Sequence, residues 1–236
     1  MNLLLLEPHE VDADGRAQVV GPALVHVREV LGKGEGATLR VGVRGGQWGS
    51  AVVLASTREA IDLRCTFDRD PPRKRPVELV LALPRPPVLR RLLQHATAMG
   101  VERIVLCHSA RVEKSYWGSP ALHPDEIDAN VRLGLEQSCD TVSPVVDTRQ
   151  RLRPFIEDEL AGRGDTRRIV ADPSGGVACP SDVEGRVLVA IGPEGGWVPF
   201  ELELFDAAGF ERVHLGTRIL RVETAVVAAL ARIGLG

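Results

Sequence analysis

Short apolar runs alternate with helical stretches from residue 77 to the end of the chain. The run over residues 77–83 is almost continuously apolar, and the runs over 168–171 and 186–191 are rich in valine, isoleucine and leucine, which is typical of strands buried on both faces of a sheet. The apolar runs occupy residues 77–83, 103–107, 168–171, 186–191 and 211–215. Helical spacing occurs over residues 87–99, 125–138, 153–161, 200–208 and 222–233. This alternation predicts an α/β fold whose mostly parallel sheet is covered by helices on both faces.

The first 70 residues follow a different pattern. Short runs with β-branched or alternating apolar residues are separated by glycines, and one helix fits residues 23–31. The runs occupy residues 3–6, 38–43, 48–56 and 61–67. Several short strands in so small a space predict a small barrel. The charged, proline-rich residues 68–76 are typical of a linker. We therefore expect a barrel domain over 1–70, a linker over 71–76 and an α/β domain over 77–236.

The composition is that of an ordinary globular protein. With 44% apolar and 26% charged residues, extensive disorder is excluded. No apolar run reaches the roughly 18 residues that span a bilayer, and the chain begins without the basic segment of a signal peptide. The cytoplasm is therefore the expected compartment. Four cysteines are scattered without a CxxC pair, so we expect no metal site.

Basic residues are concentrated in one part of the chain. The net charge of −3 argues, taken alone, against a nucleic-acid partner. Residues 73–114, however, hold nine basic and three acidic side chains. Such a stretch steers a polyanion even on a negative protein. The alternative is a solvated face of arginines, and the sequence leaves both interpretations open.

The first of two unusual segments directly follows the predicted strand at 186–191. It reads Ile191-Gly192-Pro193-Glu194-Gly195-Gly196-Trp197. Parallel sheets bind ligands beyond the carboxyl ends of their strands. Glycines at such a place let the backbone approach a ligand or adopt a positive φ. A tight turn from strand to helix needs one glycine and this segment has three, so we predict a ligand-binding loop.

The second segment follows the predicted strand at 211–215. It reads Leu215-Gly216-Thr217-Arg218-Ile219-Leu220-Arg221-Val222-Glu223-Thr224-Ala225. Its apolar pair predicts packing against a flat ring. Its two arginines are three residues apart, so one helical turn presents both to one site. The alternative is a helix start with solvated arginines.

Neither segment matches the phosphate-binding P-loop, the dinucleotide fingerprint or the nucleophile elbow of hydrolases. Glu194 and Glu223 are candidate general bases, although a single carboxylate is a weak signal.

Together, the two segments resemble those of the RsmE family of ribosomal RNA methyltransferases, which belongs to the SPOUT class. Their pairing near the end of the chain is highly specific for that family. The resemblance extends over nearly the whole chain. Further matching segments are Leu81-Ala82-Leu83-Pro84, Ala96 to Val101, Ser109-Ala110-Arg111, Glu136-Gln137-Ser138 with Pro144, and His26-Val27 to Leu31.

The resemblance implies a PUA-like RNA-binding barrel followed by a trefoil-knotted SPOUT domain that binds S-adenosylmethionine. It implies a homodimer with the active site at the subunit interface. The implied activity is methylation of uracil N3 in 16S ribosomal RNA within the small ribosomal subunit.

Candidate roles follow for residues of both segments and of the basic stretch. Arg221 or Arg218 would stabilise the uracil anion, and Glu194 is a weaker candidate for the base. The cofactor would be clamped by Ile191, Gly192, Gly195, Gly196, Leu215, Gly216, Ile219 and Leu220. RNA would be bound by Arg85, Arg90, Arg91, Arg111 and Lys114.

Several positions depart from the family pattern. Arg85 and His95 stand where the family usually has lysine, Met99 replaces its leucine, and Asp140 stands in place of an arginine. Because the cofactor segments are intact while RNA-facing positions differ, two alternatives stay open. One is methylation of another ribosomal or transfer RNA site, and the other is a non-catalytic RNA-binding relative.

Overall fold

The computed structural model of the chain describes residues 2–25, 27, 34–160, 164 and 166–234. The chain divides into two compact units. The first unit comprises Met1–Arg73 with Arg132–Ser143, and the second comprises Lys74–Val131 with Pro144–Gly236. Each unit buries an apolar core of its own. Among the described residues, no helix has the length and apolar character needed to span a membrane.

A five-stranded sheet forms the first unit. Its strands are β1 (Leu4–Leu6), β2 (Arg16–Val19), β3 (Thr38–Val43), β4 (Trp48–Ser56) and β5 (Ile61–Arg69). They lie in the order β1-β3-β4-β5-β2, with β1 parallel to β3 and all other pairs antiparallel. A short helix, α1 (Gly21–Val25), follows β2. On β4, Ala51 and Val53 are buried and Val52 is exposed, because successive side chains point to opposite faces.

Closure of this sheet into a barrel stays a prediction. Within the described ranges, β1 and β2 are edge strands with no pairing between them. β2 is absent from the sequence prediction because only two of its four residues, Ala17 and Val19, are apolar and buried. The predicted helix over 23–31 overlaps α1, and its residues 26 and 28–31 lie outside the described part of the chain.

Seven parallel strands form the sheet of the second unit. They are β6 (Arg75–Ala82), β7 (Val101–Cys107), β8 (Val145–Arg149), β9 (Thr166–Ala171), β10 (Val177–Ala178), β11 (Arg186–Ile191) and β12 (Glu211–His214). Their order is β10-β12-β9-β11-β6-β7-β8. The helices that follow β6 in the chain are α2 (Pro86–Ala98), α3 (Pro124–Ser138), α4 (Leu152–Pro154, continued by a π-helical segment, Phe155–Leu160), α5 (Pro199–Ala207) and α6 (Val222–Ile233). The part of α3 from Arg132 onward belongs to the first unit. The predicted α/β fold with a mostly parallel sheet is confirmed.

The sequence analysis does not predict two strands that bury little apolar surface. β8 is an edge strand without a fully buried residue, and both residues of β10 are exposed. The stretch predicted as a linker is also shorter than expected, because β5 runs to Arg69 and β6 begins at Arg75. Pairing of Arg69 with Trp48 and of Arg75 with Val101 extends the strands into it from both sides.

Three neighbouring strands bring the two glycine-containing segments together. β9 lies between β11 and β12, although both follow it in the chain. Its last residue, Ala171, pairs with Ile191 on one side and with Val213 on the other. The loops that leave the three strands therefore start within one residue of the same height. Ligands of open α/β sheets bind at the carboxyl edge where neighbouring connections diverge, and this edge has that arrangement.

An aromatic cluster supports the loop that follows β11. Trp197 meets Phe205 edge-on with ring centroids 4.9 Å apart, and Phe205 meets Phe210 at the same 4.9 Å. All three side chains are buried. Edge-to-face aromatic pairs add to the gain from burial, so the cluster fixes the end of the loop at the start of α5.

The loop after β9 contains a close backbone contact at a glycine. The Gly175 N–H donates to the Asp172 carbonyl at 2.9 Å, and the Asp172 N–H donates to the Val213 carbonyl at 3.0 Å. A Cβ at Gly175 would lie 2.8 Å from the carbonyl carbon of Val213. At the next residue, Gly176, a Cβ would meet nothing within 4 Å.

We expect Gly175→Ala to lower the free energy of unfolding by about 1–3 kcal/mol, because backbone must shift to admit the methyl group. Gly176→Ala is the matched control, with an expected change within about 0.5 kcal/mol. Urea unfolding followed by circular dichroism measures both. Equal midpoints for the two variants would contradict the close contact.

Candidate functional site

A pocket opens at the carboxyl edge of β9, β11 and β12. Its walls come from the loops that follow these strands and from the beginning of α6. It encloses about 610 Å³, part of which is open to solvent.

The pocket walls are mainly aliphatic. Ile219 stands in the wall with 87% of its surface exposed, which is unusual for so large an apolar residue. Asp172 adds a carboxylate, which accepts hydrogen bonds from the Ser174 N–H at 3.1 Å and from the Ser174 hydroxyl at 2.8 Å. Asp172 is absent from the sequence prediction, although it directly follows β9. Within the described ranges, no cluster of acidic, histidine or cysteine side chains is arranged to hold a metal.

Local contacts hold the loop after β11 in one shape. A Cβ at Gly192 would lie 3.2 Å from the indole Nε1 of Trp197, so the glycine lets the loop lie flat on the ring. Gly196 has a φ of +72°, and its N–H donates to the Pro193 carbonyl at 2.8 Å. Glycine adopts such a φ at little cost. These two glycines therefore shape the pocket wall.

Gly195 faces away from the pocket and toward Arg111. Its carbonyl accepts a hydrogen bond from the Arg111 guanidinium. A Cβ at Gly195 would lie 2.8 Å from Cδ of Arg111. Arg111, a candidate RNA-binding residue, is thus in contact with the loop backbone.

Glu201, on the first turn of α5, joins the same loop to a distant segment. Its side chain is buried, and its carboxylate accepts the N–H of Val198 at 2.9 Å and the N–H of Ala110 at 2.7 Å. Sequence reasoning missed this residue. The available signal was an acid three residues after a helix N-cap, which is the position of the acid in a capping box.

The loop after β12 carries the two arginines predicted for catalysis. Gly216 has a φ of +121°, and its N–H donates to His214 Nδ1 at 3.2 Å. Arg218 lines the pocket. Arg221 is the N-cap residue of α6, is exposed and lies outside the pocket wall.

Glu194 lines the pocket and is paired with Arg85. Arg85 Nε lies 3.5 Å from Glu194 Oε1. Partial burial and the negative charges of Glu113 and Glu194 raise the pKa of the Tyr116 phenol, against the opposing charge of Arg85. The Tyr116 hydroxyl therefore keeps its proton at neutral pH.

The structure brings most of the predicted cofactor residues to one pocket. Seven of the eight line it, namely Ile191, Gly192, Gly196, Leu215, Gly216, Ile219 and Leu220. Their ligand and the roles of Arg218 and Glu194 stay predictions.

The other basic candidates are partly paired within the second unit. Arg90 lies 3.3 Å from Glu126, and Arg91 lies 2.9 Å from Glu223. Lys114 is exposed at the start of a 3-10 turn. The ion pairs reduce the positive charge that these arginines present, and their binding of RNA stays a prediction.

One departure from the family pattern is explained by burial. Asp140 is 3% exposed, and its Oδ1 accepts the N–H of Val142 at 2.9 Å. The carboxylate therefore stabilises the turn after α3 and faces the protein interior.

Comparisons to known proteins agree with the fold. The model of the RNA methyltransferase domain family matches residues 71–234, which include every pocket loop. The chain is 31% identical to ribosomal RNA small subunit methyltransferase E of Treponema pallidum, over 98% of this chain and 90% of that protein. It is 30% identical to the Mycobacterium bovis protein of the same name, over 70% of this chain and 64% of that protein. The chain belongs to the RsmE family of RNA methyltransferases.

Two solved structures have the same fold. Ribosomal RNA small subunit methyltransferase E of Neisseria gonorrhoeae, bound to S-adenosylmethionine, matches with a TM-score of 0.77 at 22% identity, over 98% of this chain and 95% of that one. A Legionella pneumophila protein in complex with the same cofactor matches with a TM-score of 0.77 at 20% identity, over 98% and 96%. At these identities, the likeness establishes the fold.

The Arg91–Glu223 pair predicts a pH effect. Hydrogen bonds from its own backbone N–H and from Arg91 lower the pKa of Glu223 below the ordinary value of 4.5. A carboxyl whose pKa is lowered by folding stabilises the protein above its ordinary pKa, and this stabilisation is lost as the pH falls through the folded-state pKa. We expect Arg91→Ala to raise the pKa of Glu223 and to lower stability at neutral pH but not in strong acid.

An NMR titration of the Glu223 carboxyl measures its pKa, and urea unfolding at neutral pH and in strong acid measures the change in stability. Arg90→Ala is the matched control, because Arg90 pairs with Glu126. An unchanged Glu223 pKa in the Arg91 variant would contradict the pairing.

Proposed function

We propose that the chain transfers a methyl group from S-adenosylmethionine to N3 of a uridine in 16S ribosomal RNA of the small ribosomal subunit. Membership of the RsmE family supports the substrate class, since the named relatives are small subunit methyltransferases. The observation that carries the proposal is the pocket where the loops after β9, β11 and β12 meet, with Arg218 in its wall.

The pocket walls fit S-adenosylmethionine. Adenine has apolar faces and a hydrogen-bonding edge, and the walls combine aliphatic side chains with glycine backbone. Ile219 and Leu220 offer apolar surface to the ring, and Asp172 offers carboxylate oxygens to the ribose hydroxyls. Two proteins of the same fold hold this cofactor. When bound, S-adenosylmethionine supplies an electrophilic methyl group.

The arginines of the second segment suit the chemistry at uracil. N3 must lose its proton before its electron pair attacks a methyl group, and the resulting negative charge spreads onto the uracil oxygens. A guanidinium does not accept that proton, but it stabilises the anion. Arg218 lines the pocket and Arg221 begins α6 next to it, so we assign anion stabilisation to this pair.

Glu194 is the candidate acceptor of the N3 proton, directly or through a water molecule. Its carboxylate lines the pocket, and the Arg85 guanidinium at 3.5 Å compensates its charge. Proton transfer to Glu194 would leave Arg85 free to contact a phosphate.

The finer features of the fold are part of the same proposal. We assign the second unit to a trefoil-knotted SPOUT domain, which the passage of the chain from β11 past β9 to β12 supports. We assign the first unit to a PUA-like RNA-binding barrel. Arg16 and Arg64 are exposed and directly opposite on β2 and β5. Such a like-charge pair is unfavourable alone, and a bound phosphate would relieve the repulsion.

The proposal includes a homodimer that acts in the cytoplasm, where small subunits are assembled. The pocket is open to solvent on one side, and the partner subunit would complete its wall there.

We expect the protein to label small ribosomal subunits from a strain that lacks the modification, when it is supplied with methyl-labelled S-adenosylmethionine. Large subunits and transfer RNA serve as parallel substrates. Mass mapping of the labelled RNA should find N3-methyluridine at one position. Label in large subunits or transfer RNA would instead favour another RNA site. Absence of both label and cofactor binding would favour a non-catalytic RNA-binding relative.

We expect Arg221→Ala to lower kcat by about 10²–10³-fold, because one donor to the developing anion is lost. The Kd for S-adenosylmethionine should change little, since Arg221 lies outside the pocket wall. Single-turnover kinetics and calorimetry separate the two quantities, with Arg218→Ala as the companion variant. Equal losses of turnover and cofactor affinity would mean that Arg221 holds the cofactor.

A further inference from the structure

We infer that Glu201 and Arg111 form a two-point clasp that positions the loop after β11 for cofactor binding. The clasp comprises the contacts of the Glu201 carboxylate with the Val198 and Ala110 N–H groups, and that of the Arg111 guanidinium with the Gly195 carbonyl. Neither side chain lines the pocket, so both act as positioning residues. The identity of the ligand rests on the proposed function.

The first point of the clasp is a buried carboxylate. Glu201 is 5% exposed, and burial of a carboxylate is costly unless hydrogen bonds satisfy its oxygens. Its two oxygens accept one backbone N–H each, at 2.9 Å from Val198 and at 2.7 Å from Ala110. Ala110 is 91 residues away in sequence. A single side chain thus ties the end of the glycine loop to the segment after β7.

The second point of the clasp is a contact of the same segment with the middle of the loop. Arg111 is the neighbour of Ala110, and its guanidinium donates to the carbonyl of Gly195. The two residues lie so close that a Cβ at Gly195 would be 2.8 Å from Cδ of Arg111, so the arginine side chain would have to shift. The short segment of Ala110 and Arg111 therefore holds the loop at two places, through its backbone and through its side chain.

The held loop is part of the pocket wall. Gly192, Glu194 and Gly196 line the pocket. The contact of Arg111 at Gly195 lies between Glu194 and Gly196 in sequence, and the contact of Glu201 at Val198 follows them. A loop with three glycines loses much conformational entropy when it is ordered. If contacts within the protein order it beforehand, the ligand does not have to do so, and affinity rises. The clasp thus acts on cofactor affinity without touching the cofactor.

Two variants test the clasp from opposite sides. Glu201→Gln keeps the size of the side chain, but the amide nitrogen does not accept an N–H, so at most one of the two backbone bonds survives. Gly195→Ala leaves Glu201 intact and displaces Arg111. Glu203→Gln is the control, because Glu203 is an exposed acid on the same helix. Thermal unfolding gives the midpoint temperature of each variant, and thus the range of temperatures over which it stays folded.

Hydrogen exchange read by mass spectrometry follows residues 109–111 and 192–198 in the absence of ligand, and calorimetry measures the Kd for S-adenosylmethionine well below the unfolding temperature. We expect Glu201→Gln to speed exchange in both segments and to raise the Kd about tenfold, since loss of one buried hydrogen bond is worth about that factor. Gly195→Ala should speed exchange in the loop and raise the Kd similarly. Glu203→Gln should change neither.

Faster exchange confined to the first turn of α5 would overturn the clasp. So would faster exchange in both segments with an unchanged Kd, because the two residues would then be merely structural. A wild-type protein that binds no S-adenosylmethionine would refute the proposed function instead, and the exchange data would still decide whether Glu201 couples the two segments. Should Glu201→Gln fail to fold, the same two measurements on Gly195→Ala decide the question.

Discussion

The parallel pairing of β9 with both β11 and β12 is the interaction on which the site depends. Because Ala171 is level with Ile191 on one side and with Val213 on the other, three loops leave the sheet within one residue of the same height and enclose one pocket. A shift of either ladder by one residue would turn the last side chains of that strand to the opposite face. The two glycine-containing segments would then no longer meet.

In the second unit, the sequence predicts those elements whose pattern of apolar residues lies within the element itself. β11 and α6 have the bounds expected from periodicity, since β11 is apolar and buried from Val187 onward and α6 has apolar residues at helical spacing. Strand order does not follow from periodicity, because any of several parallel strands could neighbour β9. The pocket residues of the two segments were identified from glycines next to strand ends. Glu201 and the Arg111–Gly195 contact were missed, because they join residues 91 and 84 positions apart.

Several arginines of the basic stretch form ion pairs with glutamates. Arg85 pairs with Glu194 at the pocket, and Arg91 pairs with Glu223 at the start of α6. The surplus of basic residues seen in sequence is therefore partly neutralised in the folded chain. Exposed pairs of this kind contribute little to stability. Of the two acids, Glu194 lines the pocket, so the Arg85–Glu194 pair places a guanidinium beside it.

Ile219 keeps 87% of its surface in contact with water. Full burial of such a side chain is worth roughly 1.5–3 kcal/mol, so a ring that covers it gains affinity without forming a single polar contact. That gain comes with a decrease in heat capacity. Near room temperature it is mainly entropic and it weakens on cooling. The contribution of Ile219 to the affinity for such a ring would therefore decrease as the temperature falls, because it comes from the release of water around an aliphatic side chain.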